Sequence, residues 1–440
     1  MSASSPPLAE ALRVAATAWS LLREGASLER ALAAALPQAA APRLRAAAQD
    51  LLYAATRRLA WVEALIDRLA QRPPERPVRA LLAIALTQLD AGGRTDFTVV
   101  DQAVRAAKGD ASTAGAAGFV NALLRRYLRE RATLDTELRR DAVVRTNLPS
   151  WWLARLQADH PQDWERIAAL QLLHPPMVLR VNRRRATPHQ MLARWAEAGI
   201  AARAVGEDAL CLAQPLPVGE VPGFAEGWVS VQDAGSQLAA PFLQAMEGMR
   251  VLDACAAPGG KTAHLLERAQ LELTALEVDG ARARRIHENL ARLGLAAEVR
   301  VADAGELAAW WDGRPYQRIL LDAPCTASGI VRRHPDIPWL RREADVAQLA
   351  RGQSRLLDAL WEALAPAGRL LYVVCSLFPQ EGAQQVDRFL DRRADARLVP
   401  LAAGLPGRLQ LLPAEAPEPA APGLPAVHDG FFYALLEKIP

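Results

Sequence analysis

The chain has 440 residues, which is enough for roughly two to four domains. About half of the residues are hydrophobic (51%), yet no apolar run approaches the length of a membrane span, and the start MSASSPPLAE lacks the basic and apolar regions of a signal peptide. The four cysteines include no C-x-x-C pair, which argues against a zinc site and a disulfide framework. We therefore expect a cytoplasmic protein with no metal and no membrane partner, and a monomer is the default.

The net charge of +3 is unevenly distributed along the chain. Residues 1–150 carry 21 Lys/Arg and 15 Asp/Glu, a net charge of +6, so the remaining residues sum to −3. A basic module joined to a near-neutral one suits a nucleic-acid partner. An Arg-rich, solvated helical surface has the same composition, and charge alone does not separate the two interpretations.

Residues 1–148 are predicted to form a helical domain, because apolar positions recur at helical spacing. Two segments within it, Val100–Val104 (VDQAV) and Gly118–Arg125 (GFVNALLR), resemble the antitermination-factor NusB family, an all-helical RNA-binding fold. The resemblance implies that this domain binds RNA, protein or both. The arginines best suited to contact phosphates would be Arg125, Arg126 and Arg129.

Residues 149–245 are predicted to form a small α+β domain, RRM-like, that helps to hold the substrate. Residues 176–182 have the composition of a strand, and Thr187 is suited to cap the helix that follows. A second strand is expected from Trp228 to Val231, with a helix beginning near Asp233. This last segment is expected to cover one wall of a ligand site.

Residues 246–440 show regular alternation of strands and helices, which predicts a parallel α/β sheet. The Pro- and Ala-rich segment 411–430 is predicted to be a loop, and the final segment 430–438 a strand, antiparallel at the edge of the sheet. The five strands expected before them are Arg250–Asp253, Leu273–Val278, Glu298–Ala302, Arg318–Asp322 and Arg369–Val374.

A turn of small residues, Cys255–Gly260, follows the first of these strands and leads into a helix near Lys261. Free backbone N–H groups at such a helix start favour electron-rich ligand groups. A P-loop requires glycine at the position of Cys255, and no G-x-G-x-x-G is present, so phosphate-binding and dinucleotide motifs both fail. This segment could also be an ordinary strand–helix turn with no ligand, but the residues downstream argue against that interpretation.

Acidic residues stand at or just past four strand ends, where open α/β sheets bind their ligands. A carboxylate after the second strand typically binds ribose hydroxyls of an adenosine-type ligand, a role that we assign to Glu277 with Asp279 as the alternative. Asp303 is then expected near the adenine and Asp322 near the reacting end. Asp253 is the remaining acid of the four.

Two cysteines follow the last two predicted parallel strands. Cys325 lies in the sequence DAPC and Cys375 in VVCS. If these strands are neighbours, their ends are about 5 Å apart and both thiols can face one site. Because a thiolate is the nucleophilic form, such a cysteine needs a depressed pKa or a nearby base.

The motifs DACAAPGGKT, DAPCTASGIVRRHPDIPWLRR, YVVCSLFPQEG and DGFFYA together resemble the RNA cytosine-5 methyltransferase family. The resemblance implies a class I methyltransferase fold of the Rossmann-like type, S-adenosylmethionine as cofactor and a covalent RNA intermediate. It makes Cys375 the nucleophile and gives Cys325 a part in breakdown of the adduct. The residues expected to line the cofactor are Cys255, Ala256, Ala257, Pro258, Gly259, Gly260, Lys261, Glu277, Asp303 and Asp322.

The same resemblance suggests RNA phosphate contacts at Lys261 and in the loop Arg332-Arg333-His334. Two positions depart from the family pattern, since Val374 replaces a threonine and Glu277 an aspartate. The NusB-like front favours 16S ribosomal RNA as the substrate. Another RNA such as tRNA, or a non-catalytic RNA-binding assembly factor, are the alternatives.

Overall fold

The computed structural model describes residues 8–439. The chain divides into two compact units. One contains the chain up to Leu173 together with Val331–Arg342, and the other contains His174–Ile330 and the chain from Glu343 onward. Within the described residues, no helix is long and apolar enough to cross a membrane.

The first unit is built from helices with one apolar face, and the predicted helical front is confirmed. Helix α5 is central, since eleven of its sixteen residues are buried. The helices up to Leu173 are α1 (Leu8–Arg23), α2 (Leu28–Ala35), α3 (Pro42–Thr56), α4 (Leu59–Leu69), α5 (Arg76–Ala91), α6 (Asp96–Lys108), α7 (Ala117–Leu138), α8 (Ala142–Thr146), α9 (Ser150–Asp159) and α10 (Trp164–Leu172).

The segment Val331–Arg342 belongs to this helical unit although it follows Cys325 closely in the sequence. Its Asp336 Oδ2 accepts a hydrogen bond of 3.0 Å from the N–H of Leu28, at the first turn of α2. A carboxylate at a helix N-terminus satisfies a backbone donor and complements the helix dipole. Polar contacts thus bind this segment to the helical core. The composition of the segment does not predict these contacts.

The second unit begins with a small antiparallel sheet, of strand order β2-β3-β1-β4, and one long helix beside it. Thr187 caps that helix in a capping box with Gln190, as predicted. The elements are β1 (Val178–Val181), α11 (Pro188–Glu197), β2 (Ala202–Ala204), β3 (Ala209–Leu212), β4 (Val229–Val231), α12 (Ala234–Gln237) and α13 (Ala239–Leu243).

The main sheet follows, and its elements alternate as the sequence predicts up to the fifth strand. They are β5 (Arg250–Asp253), α14 (Gly260–Arg268), β6 (Glu272–Glu277), α15 (Gly280–Leu293), β7 (Glu298–Val301), α16 (Leu307–Trp310), β8 (Tyr316–Asp322), α18 (Glu343–Glu362), β9 (Leu364–Val374), α19 (Ala383–Arg392), β10 (Ala396–Leu398), β11 (Arg408–Leu411) and β14 (Phe431–Lys438). The same stretch of sequence also contains α17 (Ile337–Leu340), in the segment that belongs to the helical unit, and a separate pair of strands, β12 (Ala414–Glu415) and β13 (Val427–His428).

The strand order of the main sheet is β10-β14-β9-β8-β5-β6-β7, and β11 also pairs with β14. Strands β5 to β9 are parallel, whereas β14 runs antiparallel to β9. The strand order reverses between β5 and β8, and a doubly wound sheet binds its ligand at the carboxyl ends beside such a reversal. Asp253, Asp322 and Cys375 follow or end the strands that meet there.

Two details of the predicted topology are wrong. Strand β14 lies inside the sheet, because β9 flanks one side and β10 and β11 flank the other. Segment 411–430 is also more than a loop, since β12 and β13 within it pair with each other. Both errors concern partners that are distant in sequence.

Candidate active site

The turn between β5 and α14 lies at the carboxyl edge of the sheet. Gly259 has a left-handed backbone, with φ of +93°, and a Cβ there would lie 3.2 Å from the Cα of Ile286. Glycine is the residue that combines this conformation with so close an approach of α15. The hydroxyl of Thr262 donates to Oδ2 of buried Asp253 at 2.7 Å. These contacts fix the path of the turn.

A cleft of about 350 Å³ opens beside this turn. The sequence-predicted residues that line it are Cys255, Ala257, Glu277, Asp303, Asp322, Cys325 and Cys375. The other predicted residues do not line the cleft: Ala256 and Gly259 are buried, Gly260 and Lys261 are partly buried, and Pro258 is exposed. The cleft thus brings together three of the predicted acids and both of the predicted catalytic thiols.

The two acids considered for the ribose position differ in their surroundings. Glu277 lines the cleft, accepts a hydrogen bond from the N–H of Asp279 at 3.0 Å and pairs with Arg282 at 3.2 Å. The carboxylate of Asp279 accepts from the N–H groups of Ala281 and Arg282, at 2.7 and 3.2 Å, and so caps α15. Of the two carboxylates, Glu277 is the one on the cleft wall.

Asp303, just past β7, is paired with Arg355 from α18 at 2.9 Å. Its Oδ1 also accepts from the N–H of Gly305 at 2.8 Å. Burial opposes ionisation, but this N–H and the guanidinium outweigh it and hold the pKa of Asp303 below its ordinary value. An ionised carboxylate therefore lies on this side of the cleft.

Lys261 and Asp322 form an ion pair near the thiols, with Nζ 2.6 Å from Oδ2. Burial disfavours the ammonium, but Asp322, Cys375 and Asp253 favour it, and the pKa of Lys261 lies above its ordinary value. Burial also raises the pKa of Asp253 to about 7, although the hydrogen bond from Thr262 acts to lower it. A positive charge is thus maintained beside Cys375.

The two thiols meet in the cleft because β8 and β9 are neighbours. The Sγ atoms of Cys325 and Cys375 are 3.4 Å apart. The hydrogen bond with Cys375, burial, and electrostatic interactions with Cys375 and Glu381 raise the pKa of Cys325 well above its ordinary value. Cys325 therefore keeps its proton, and its S–H can donate to the sulfur of Cys375.

Two arginines on the cleft wall, Arg282 and Arg355, are absent from the sequence-based prediction. Arg282 could have been predicted from the sequence, because it lies in the first turn of the helix that follows Glu277. Arg355 could not, since it reaches Asp303 across 52 positions of sequence. Each pairs with one of the acids predicted to line the cofactor, Arg282 with Glu277 and Arg355 with Asp303.

The predicted RNA contacts lie in different environments. Arg125 and Arg129 are exposed, whereas Arg126 pairs with Glu130 at 3.0 Å. Arg332 is only 1% exposed, so the prediction that it holds an RNA phosphate is wrong. The structure leaves Arg125 and Arg129 as the more accessible arginines of this set.

The sequence matches three family models in the same order as these structural parts. Residues 10–129 match the NusB family, residues 148–219 match the ferredoxin-like domain of RsmF/B-like methyltransferases, and residues 240–437 match the family described as 16S rRNA methyltransferase RsmB/F. The resemblances found in the sequence are thereby confirmed.

Among similar proteins, the ribosomal RNA small subunit methyltransferase B of Vibrio cholerae is 41% identical and covers 97% of this chain and 98% of its own. The ribosomal RNA small subunit methyltransferase B of Pseudomonas syringae is 44% identical and covers 90% of this chain and 89% of its own. The crystal structure of PH0851 has the same fold, with a TM-score of 0.79 at 24% identity over 99% and 100% of the chains. The structure of a methyltransferase homolog from Pyrococcus horikoshii has a TM-score of 0.56 at 26% identity, and the match covers 68% of this chain and 97% of that protein. The chain belongs to the 16S rRNA methyltransferase RsmB/F family.

Proposed function

We propose that this protein transfers a methyl group from S-adenosylmethionine to carbon 5 of a cytosine in 16S ribosomal RNA, through a covalent adduct between the RNA and Cys375. The observation that carries the proposal is the pair of thiols, 3.4 Å apart, in the same cleft as the acidic strand ends. A nucleophile beside a second proton-bearing group suits a reaction with a covalent intermediate. The names of the similar proteins support the choice of RNA.

The residues of the cleft fit this cofactor. The carboxylate of Glu277, at the end of β6, suits ribose hydroxyls, and Asp303 suits the adenine end. The small side chain of Ala257 on the cleft wall allows a ligand to approach the backbone of the turn closely. When bound, S-adenosylmethionine supplies an electrophilic methyl group.

Cys375 is the proposed nucleophile. Carbon 5 of cytosine reacts poorly by itself, and a thiolate bond to carbon 6 makes carbon 5 enamine-like. The electron pair of the thiolate would form the S–C6 bond, and the electrons of the 5,6 double bond would form the bond to the methyl carbon. The sulfonium–methyl bond would break at the same time, and its electron pair would remain on the sulfur of the cofactor. The ammonium of Lys261, held by Asp322, lies near Cys375 and stabilises negative charge on its sulfur.

Cys325 is proposed to assist release of the product. The proton on carbon 5 leaves to water in the open cleft, and the S–C6 bond breaks with its electron pair returning to the sulfur of Cys375. Because the pKa of Cys325 is raised, its S–H is available to donate to that returning thiolate. A stabilised leaving group shortens the lifetime of the adduct.

The experiment uses Cys325→Ala and Cys375→Ala variants with 16S rRNA and S-adenosylmethionine, analysed on a denaturing gel. We expect Cys325→Ala to accumulate a protein–RNA adduct and Cys375→Ala to form none. RNA that contains 5-fluorocytosine should trap the wild-type protein as well, since carbon 5 then has no proton to lose. Mapping the adduct identifies the target cytosine.

An adduct with Cys375→Ala but not with Cys325→Ala would reverse the two roles. An adduct on transfer RNA alone would move the substrate to another RNA. No adduct with any of the three proteins, despite bound RNA, would favour a non-catalytic RNA-binding assembly factor.

A further inference from the structure

A fully buried carboxylate lies behind the two thiols. Glu381, in the loop between β9 and α19, is 0% exposed. Its Oε1 accepts hydrogen bonds from the N–H of Thr326 at 2.9 Å and from Nε2 of Gln353 at 3.1 Å. Its Oε2 accepts from the hydroxyl of Ser376 at 2.6 Å and from the hydroxyl of Thr326. The side chain therefore has four hydrogen-bond donors around it.

These four donors match the hydrogen-bonding capacity of a carboxylate. An ionised Glu only accepts hydrogen bonds and has about four acceptor positions, all of which are used here. The four donors are neutral groups, so within the described part of the chain this buried carboxyl group has no ion-pair partner. Burying a charge in this way is costly, and an apolar or amide side chain of similar size would avoid that cost. Neither replacement, however, could accept hydrogen bonds from all four donors, and this capacity is what the position requires.

The groups that Glu381 binds adjoin the two thiols directly. Thr326 follows Cys325 in the sequence, and Ser376 follows Cys375. Gln353, which also binds Glu381, donates from Nε2 to the carbonyl of the residue before Cys325 at 2.9 Å. The backbone is therefore held on both sides of Cys325, and one carboxylate connects that loop to the loop of Cys375.

We propose that Glu381 is a positioning residue, whose carboxylate holds the Cys325 and Cys375 loops together so that both sulfurs face the cleft in contact. Glu381 does not line the cleft and acts through the two cysteines. The proposal rests on the proposed function for its effect on catalysis. Its geometric part, the contact between the sulfurs, stands independently of the reaction.

The first test is Glu381→Gln, which keeps the size of the side chain but turns one acceptor into a donor facing the donors of Thr326 and Ser376. We expect kcat for methyl transfer to fall at least tenfold, with the Kd for S-adenosylmethionine unchanged because the cofactor residues are not touched. A general loss of structure would change both.

The second measurement needs neither RNA nor cofactor. Treatment with diamide, a diazene oxidant that is reduced to a hydrazine as two thiols become a disulfide, should cross-link Cys325 to Cys375 rapidly in the wild-type protein. Peptide mapping by mass spectrometry identifies the product. In Glu381→Gln we expect this cross-link to form several-fold more slowly, because the sulfurs no longer stay in contact.

Three further variants separate position from charge and from folding. Glu381→Asp keeps the charge but is one methylene shorter, so it should recover only part of the activity and of the cross-linking rate. Ser376→Ala removes a single donor and should give a smaller loss than Glu381→Gln. Glu437→Gln, a carboxylate that pairs with Arg369 in the same sheet, is the control and should behave as the wild type in both assays.

A Glu381→Gln protein that cross-links at the wild-type rate overturns the proposal, whatever its methylation activity. So does a wild-type protein that forms no Cys325–Cys375 cross-link, or Ser376→Ala and Glu381→Gln variants that both keep the wild-type kcat. Slower cross-linking in Glu381→Gln, together with no adduct between the wild-type protein and RNA that contains 5-fluorocytosine, would retain the positioning role and refute the proposed chemistry instead.

Discussion

Glu277 and Asp279 lie two residues apart, yet the structure gives their carboxylates separate tasks. Glu277 faces the cleft and balances Arg282, whereas Asp279 is engaged with the first N–H groups of α15. A capping carboxylate contributes to the stability of its helix, and a carboxylate on a ligand cleft contributes to affinity. The two contributions can be measured separately in single variants.

We expect Glu277→Gln to weaken binding of S-adenosylmethionine by about tenfold to a hundredfold, the loss of roughly 1.4 to 3 kcal/mol that a charge-assisted hydrogen bond contributes. Thermal stability should change little, because the released Arg282 is more than half exposed. Isothermal titration calorimetry gives the affinity. The matched variant Asp279→Ala should lose about 1 kcal/mol of stability as a lost helix cap, with cofactor affinity near that of the wild type. The opposite pattern would make Asp279 the ribose ligand.

At the level of single residues, the sequence was most informative where chemistry and motif coincide. Cys325 and Cys375 could be assigned to one site because each follows a strand, and adjacent parallel strands end at the same edge. Arg355 and Glu381 could not, since each contacts the site through partners far away in sequence. The prediction for Arg332 was wrong because a local pattern was misleading. A basic tripeptide is typical of a solvated loop, but this arginine is buried.

Among the larger elements, the turn after Cys325 depends on a contact between two glycines. The N–H of Gly329 donates to the carbonyl of Cys375 at 2.9 Å, and the N–H of Gly430 donates to the carbonyl of Gly329 at 2.9 Å. A Cβ on Gly329 would lie 2.1 Å from the carbonyl oxygen of Gly430. Backbone cannot yield to such an overlap without displacing the turn or the start of β14.

Gly329→Ala is therefore expected to lower kcat for methyl transfer at least tenfold and to destabilise the protein by roughly 1 to 3 kcal/mol, as overpacking does. Gly352→Ala is the matched control, since a Cβ there meets open space within helix α18. It should stabilise the protein by about 0.5 to 1 kcal/mol, because alanine favours a helix over glycine. Urea unfolding and steady-state kinetics test both variants. Equal effects of the two substitutions would contradict the role of the glycine contact.

The strands were predicted well where each is a short apolar run between turn residues, as for β5 and β8. Strand β14 was assigned to the edge of the sheet, although all of its residues from Phe431 to Glu437 are buried. An apolar run without alternation is typical of an interior strand, and this signal was present in the sequence. Its partners β10 and β11 are short and irregular, and nothing local identified them as strands of this sheet.

On the scale of the whole molecule, the order of a helical part, a small α+β part and a methyltransferase part was predictable from changes in periodicity. The boundaries 1–148, 149–245 and 246–440 stay predictions. The division into compact units gives Val331–Arg342 to the helical unit, within the last of these ranges. No local sequence pattern predicts that this segment packs with the helical unit. The contacts that place it there span long distances in sequence, for example more than 300 positions between Asp336 and Leu28.

A buried polar cluster joins the small sheet to the methyltransferase sheet within the second unit. Arg180 of β1 pairs with Glu267 of α14 at 2.7 Å, and each side chain is 1% exposed. Next to them, Nε2 of buried His264 lies 3.4 Å from Oδ2 of Asp208. Burial, aided by the charge of Arg180, lowers the pKa of His264 to about 3 although Asp208 opposes the change.

This pKa predicts that the protein loses stability below neutral pH. His264 is neutral in the folded protein, whereas in the unfolded chain it binds a proton below its ordinary pKa of 6.5. The contribution is therefore complete above pH 6.5 and is lost progressively as the pH falls toward 3. Each pH unit in that window corresponds to about 1.4 kcal/mol, so the wild type should lose on the order of 2 kcal/mol between pH 6.5 and pH 5 from this residue.

His264→Gln removes the titrating group and should flatten the dependence of unfolding free energy on pH across this window, even if the variant is less stable at pH 7. The exposed His287 provides the control, and His287→Gln should leave the wild-type slope unchanged. Urea unfolding at pH 7, 6 and 5, followed by the fluorescence of the tryptophans, gives the three slopes. A His264→Gln slope equal to that of the wild type would mean that acid sensitivity originates elsewhere, with the ion pair of Arg180 and Glu267 as the next group to test. A flattened slope would show that proton binding by His264 in the unfolded chain is what lowers the stability of the wild type in acid.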